Sequence, residues 1–133
     1  QNSKLVGKVN MQTYLEALLE PYKALNEEIA FTLSCDKELS LSIEKLTPLA
    51  LIINELITNS IKHAFEHTEA PHVLIKLQVD KRYKFTYEDN GSGYGEVKES
   101  LGSLMIQNLS TSHVNGKYLI SSKNRYVFSL HFQ

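Results

Sequence analysis

The sequence predicts a two-layer α/β sandwich, with helices gathered on one face of a largely antiparallel sheet. The stretch Leu49–Phe65, LALIINELITNSIKHAF, turns Ile53, Leu56, Ile57, Ser60, Ile61 and Ala64 to one side at the helical angle, and Glu55, Asn59, Lys62 and His63 to another. Two pairs of alternating segments, Val73–Val79 with Tyr83–Glu88 and Lys117–Ser121 with Tyr126–Phe132, are each joined by a short polar turn. In order, the segments read α, β, α, β, β, α, β, β, five strands and three helices. Strands linked by tight turns pair antiparallel, and helices returning to a shared face complete the second layer. The other face of the sheet is left to solvent or to a partner domain.

Residues 1–9 show weak periodicity and read as a linker or the end of a preceding helix. Asn10 is a plausible N-cap for a first helix, in which Met11, Tyr14, Leu15, Leu18, Leu19 and Leu25 recur at helical spacing. Pro21 is expected to bend or end that helix. Glu28–Leu33 (EIAFTL) alternates and favours a strand, and Asp36–Ser40 reads as a polar turn. The central helix starts between Ile43 and Pro48, because proline is tolerated in a first turn, where its missing N–H costs little. After Phe65, EHTEAPH is a loop; Lys81 and Arg82 turn the first hairpin, and Lys123 and Asn124 the last. Leu101–Leu109 has helical periodicity.

A chain of 133 residues, 42% of them hydrophobic, forms one domain with a core that needs no disulfide or structural metal. Fourteen basic and fifteen acidic residues leave a net charge of −1, which gives no overall field for nucleic acid or an anionic membrane. Cys35 has no second cysteine to bridge with and reads as a small residue near a strand end. No apolar run reaches the roughly 18 residues needed to span a bilayer, and the N-terminus has no secretory pattern, so a cytoplasmic location is expected. The abrupt start at Gln1 in a charged stretch predicts a piece of something longer.

Two motifs carry chemistry. On the central helix, the i, i+4 steps Glu55 to Asn59 and Asn59 to His63 stack a carboxylate, an amide and an imidazole, a set suited to phosphate and metal. The same stripe also reads as the solvated face of an amphipathic helix. After the second alternating segment comes DNGSGYG, Asp89–Gly95, with glycines at 91, 93 and 95. A carboxylate beside exposed backbone N–H groups suits a purine amino group and nearby phosphates. Alone, this stretch also reads as a flexible turn. A P-loop, G-x-x-x-x-G-K-[ST], is absent from the sequence. His67, His72, His113 and His131 show no zinc or triad spacing, and Tyr83, Phe85 and Tyr87 read as packing residues.

Taken together, N-E-L-I-T-N-S-I-K-H-A-F, a hairpin, D-N-G-S-G and then S-L-G-S-L-M-I form a multi-part pattern in fixed order. From about Val9 to Phe132 the chain resembles the ATP-binding catalytic domain of bacterial sensor histidine kinases, members of the GHKL superfamily with the Bergerat fold. The nearest likeness is to kinases whose second box reads N-E-L-V-T-N-A-L-K-H-A-F. The resemblance implies an α+β sandwich with a five-stranded mixed, mainly antiparallel sheet, three helices on one face, and an ATP-binding domain over 10–133. It implies Glu55 as the acidic residue that polarises the attacking nucleophile and Asn59 as the ligand that holds Mg²⁺ against the phosphates. Lys62 is then a phosphate neutraliser and His63 lies against adenine. Asp89 accepts from the adenine amino group, Gly91 and Gly93 let backbone approach the nucleotide, and Gly102 opens a helix whose N–H groups face phosphate.

The implied reaction transfers the γ-phosphoryl of Mg-ATP to a histidine on a dimerisation domain, for relay to a response regulator. The acceptor helix is not in this chain, and neither nucleic acid nor a direct membrane contact is expected. Two alternatives share the fold: a degenerate docking module without ATP binding, and an anti-sigma-factor-type serine kinase. The chain also departs from the family. Only Glu96–Ser100 separate Gly95 from Leu101, which makes the ATP lid short; Ser100 and Ser103 replace a glycine and a leucine of G-L-G-L, and Arg125 and Tyr126 replace the glycine-threonine of the terminal strand.

Overall fold

The computed structural model describes residues 7–91, 106–121 and 125–133. Strand β1 (Lys8–Asn10) leads directly into helix α1 (Met11–Leu25). The Asn10 side chain caps α1 by accepting from Thr13 N at 3.0 Å, and its amide donates to the Lys37 carbonyl at 2.8 Å. Next come β2 (Ala30–Cys35), β3 (Ser40–Ser42) and the central helix α2 (Ile43–Asn59), which widens at Ser60–Ala64 into a turn of i+5 bonds. Strands β4 (His72–Val79) and β5 (Tyr83–Asp89) form the hairpin. A third helical segment, α3, is described from 106 and widens in the same way at Leu109–His113; β6 (Lys117–Ser121) and β7 (Tyr126–Phe132) close the chain.

The main sheet has the order β2-β4-β5-β7-β6. Every neighbour pair is antiparallel except β2 and β4, which run parallel because α2 carries the chain across between them. Alternation supplies the buried face: Val73, Ile75 and Leu77 on β4, Phe85, Tyr87 and Asp89 on β5, and Phe128, Leu130 and Phe132 on β7 all point inward. Met11, Leu15 and Leu19 of α1, Ile52, Ile53, Leu56 and Ile57 of α2, and Ile106 and Leu109 of α3 join them in one core. Each of the buried Val, Leu, Ile, Phe and Met side chains contributes about 1.5–3 kcal/mol by leaving water. Phe85 meets Phe128 edge to face at 6.1 Å, and Tyr83 stacks on Phe132 at 5.1 Å, so these two aromatic side chains of β5 serve packing.

Several expectations need correction. Lys8 and Val9, read as linker, pair with Ser42 and Leu41 in a two-stranded ribbon of β1 and β3, and Ser40, read as turn, belongs to it. Helix α1 runs through Pro21 to Leu25. The Tyr22 hydroxyl donates to Asn54 Oδ1 at 2.8 Å, and the Asn26 amide donates to the Tyr22 carbonyl at 2.9 Å, so tertiary and capping bonds hold the turn that proline weakens. Strand β2 starts and ends two residues later than predicted, because Ile29 N bonds the Asn26 carbonyl at 3.0 Å and keeps residues 26–29 in a turn. Cys35 is the last residue of β2, as expected. The predicted turn at Lys123 and Asn124 and the first part of the predicted helix Leu101–Leu109 lie outside the described residues. Among the described residues no helix is long and apolar enough to cross a membrane.

Candidate functional site

The site grows from the C-terminal half of α2. Leu56, Ile57, Ser60 and Ala64 are buried, whereas Glu55, Asn59 and His63 are half-buried and Lys62 is exposed. The two sides predicted from periodicity are therefore present, with Ile61 only half-buried. Ser60, placed on the apolar side, is fully buried and so needs polar partners. It finds them on β5. Its hydroxyl donates to Asp89 Oδ2 at 2.6 Å and lies 2.7 Å from the Tyr87 hydroxyl.

Asp89 ends β5 with 1% of its surface exposed. Its second oxygen, Oδ1, accepts from Gly91 N at 3.0 Å, which folds the start of the glycine loop back onto the strand end. Asn90 fixes the same corner from the outside, accepting from His72 N at 2.8 Å and donating to the Ala70 carbonyl at 2.8 Å. Gly91 sits hard against the last turn of the α2 segment: a Cβ there would lie 2.6 Å from both the carbonyl carbon and the Cβ of Ala64. A side chain at 91 would push loop and helix apart, so here glycine is required by the close approach of two backbones.

The carboxylate at the strand end, the first glycine of the loop and the polar helix thus meet at one junction. Asn59 is the residue before Ser60, and Glu55 lies one helical turn earlier on the same element. Lys62 and His63 follow within the widened turn. Gly93, Gly102, the short lid Glu96–Ser100 and Ser103 lie outside the described residues. The sequence reading missed Ser60, Tyr87 and Ala64 as parts of the site. A serine in an otherwise apolar stripe was the available signal for the first.

Tyr126, the first residue of β7, pairs across the sheet with Asp89. Burial, and then the charge of Asp89, push its phenol up. The Tyr87 phenol is raised well above its ordinary value, chiefly by burial, with the charge of Asp89 adding to the shift. Both tyrosines therefore keep their protons across the physiological range. Among the described residues no group of three or more His, Cys, Asp or Glu comes together. The amide oxygen of the half-buried Asn59 is a hard donor of the kind that suits Mg²⁺, a cation that takes one or two protein ligands and completes its shell with phosphate and water.

Residues 44–120 match the family described as histidine kinase-, DNA gyrase B- and HSP90-like ATPase, and the chain belongs to that family. The histidine kinase domain of the blue-light-activated histidine kinase from Erythrobacter litoralis EL346 superposes with a TM-score of 0.81 at 18% identity, over 93% of this chain and 61% of that one. The catalytic domain of the histidine kinase ThkA gives 0.76 at 13% identity, over 94% of each chain. At these identities the likeness is one of fold. The anti-sigma F factor of Clostridium perfringens is 33% identical over 64 residues, which cover 47% of this chain and 46% of that protein. The match thus spans about half the length of that relative.

Proposed function

We propose that this chain is the cytoplasmic ATP-binding catalytic domain of a sensor histidine kinase, which passes the γ-phosphoryl of ATP to a histidine on a dimerisation domain for relay to a response regulator. The observation that carries the reading is the junction at Asp89. One carboxylate is tied to Ser60 of the polar helix and to Gly91 at the start of the glycine loop, which supports a base site and a phosphate site at one corner. Asp89 accepts from the adenine amino group, while Gly91 and Gly93 admit the backbone to the nucleotide. Asn59 would hold Mg²⁺, Lys62 offsets phosphate charge, His63 lies against the base, and Gly102 is assigned to the phosphate side of the site. Glu55 polarises the attacking imidazole. Mg²⁺, held through the Asn59 side-chain oxygen, would supply neutralisation of the phosphate charge. Catalysis of this kind is positioning and charge stabilisation, so without an acceptor histidine in place hydrolysis is slow.

Titration with fluorescent ATP, with and without Mg²⁺, tests this. Saturable Mg-dependent binding is expected, and Asn59→Ala should weaken it by roughly tenfold or more without unfolding the chain. No saturation at millimolar nucleotide would leave the docking-module reading instead. The likeness to an anti-sigma F factor favours a second reading, a serine kinase on the same fold. Label transferred from ATP by the intact gene product separates the two: phosphohistidine is lost in acid, whereas phosphoserine survives it.

A further inference from the structure

We propose that Ser60 and Tyr87 form a one-way hydroxyl chain that positions the Asp89 carboxylate, making Ser60 a specificity-determining residue for 6-amino over 6-oxo purine nucleotides. The inference rests on the assignment of Asp89 to the purine base. All three side chains are buried, Ser60 and Tyr87 at 0% exposure and Asp89 at 1%. The Ser60 hydroxyl donates to Asp89 Oδ2 at 2.6 Å, and a serine hydroxyl has a single proton to give. The 2.7 Å contact then requires the Tyr87 hydroxyl to donate to Ser60. Burial keeps that phenol protonated, which preserves the direction of the chain. Ser60 stands where the kinase box quoted above carries alanine, which has no hydroxyl to offer.

The two carboxylate oxygens are anchored from different elements. Oδ2 is held by the helix through Ser60, and Oδ1 by the loop backbone through Gly91 N at 3.0 Å. Rotation of the carboxylate about its bond to Cβ would break both bonds at once. A group fixed in this way presents acceptor oxygens in one plane, matching the exocyclic amino group of adenine and opposing the carbonyl of a 6-oxo purine. Without the Ser60 hydroxyl, the Tyr87 proton loses its acceptor, Oδ2 loses a donor, and the plane is no longer set from the helix side.

The test compares ATP with inosine triphosphate, which carries a 6-oxo group, by calorimetric or fluorescence titration of the parent, Ser60→Ala, Tyr87→Phe and Asp89→Asn. Ser60→Ala should weaken ATP roughly tenfold and inosine triphosphate by less than about threefold, narrowing the preference. Tyr87→Phe leaves the Ser60 proton in place and should narrow it by roughly threefold, with a native circular dichroism spectrum. Equal losses for both nucleotides in Ser60→Ala, or a parental ratio in both variants, overturns the positioning role. If the parent binds no ATP, or Asp89→Asn binds it as tightly as the parent, the assignment of the base site itself falls, and the proposal falls with it.

Discussion

Replacing Gly91 with alanine sets a methyl group 2.6 Å from the carbonyl carbon of Ala64 and closer still to its oxygen. Neither backbone can yield by a side-chain rotation, so the loop must lift from the helix or the last turn of the helix must open. Gly91→Ala should therefore cost about 1–3 kcal/mol of stability by urea titration and weaken ATP together with it. An alanine variant as stable as the parent would show that the loop does not press on α2. Asp89 and Gly91 were legible in the sequence because a glycine cluster after a strand is a local signal. Tyr87 and Ala64 were not, and Ser60 showed only as a serine in an apolar stripe, because their roles exist only after β5 and α2 have packed, about thirty residues apart in the chain. Nothing in T-N-S-I or F-T-Y-E states that the two hydroxyls will touch.

Among the elements, those with enough repeats to show a period were readable and the short ones were not. The alternation in β4, β5, β6 and β7 spans five residues or more, and their predicted limits agree with the observed strands to within a residue. Strands β1 and β3 have three residues each, too few to display a period, and they exist through the distant pairing of Val9 with Leu41. Helix α1 shows the opposite error. Pro21 pointed to a break, yet Met11, Leu15 and Leu19 bury the first part and Tyr22 is tied to Asn54, so packing outweighs the missing backbone bond. The cap at the other end is local and can be tested locally. Asn10→Ala removes both the acceptor for Thr13 N and the amide bond to the Lys37 carbonyl, and so loosens α1 from the β1–β3 ribbon as well. A loss of about 1–2 kcal/mol in urea unfolding is expected, with ATP affinity unchanged, since the cap lies on a different element from the Asp89 junction.

For the whole molecule, the buried hydroxyl groups at the junction make stability depend on alkaline pH. Tyr87 and Tyr126 are both held neutral in the folded chain, first by burial and then by the nearby Asp89 charge. In the unfolded chain each phenol ionises near its ordinary value of about 10. The folded state thus binds more protons than the unfolded state above that pH, and stability falls as pH rises. Below it the phenols are neutral in both states, and their contribution is fully present. Cys35 acts in the same direction slightly earlier, because burial and the neighbouring Asp36 push its thiol up to about 11. Urea midpoints should therefore begin to fall between pH 9 and 10 and decline more steeply above 10, by as much as about 1.4 kcal/mol per pH unit for each buried tyrosine. Tyr87→Phe, which has no proton to lose, should show a shallower decline than the parent over the same range. Parallel curves for parent and variant would mean that the Tyr87 phenol ionises as readily in the folded chain as in the unfolded one, and that the hydroxyl chain to Asp89 is open to water.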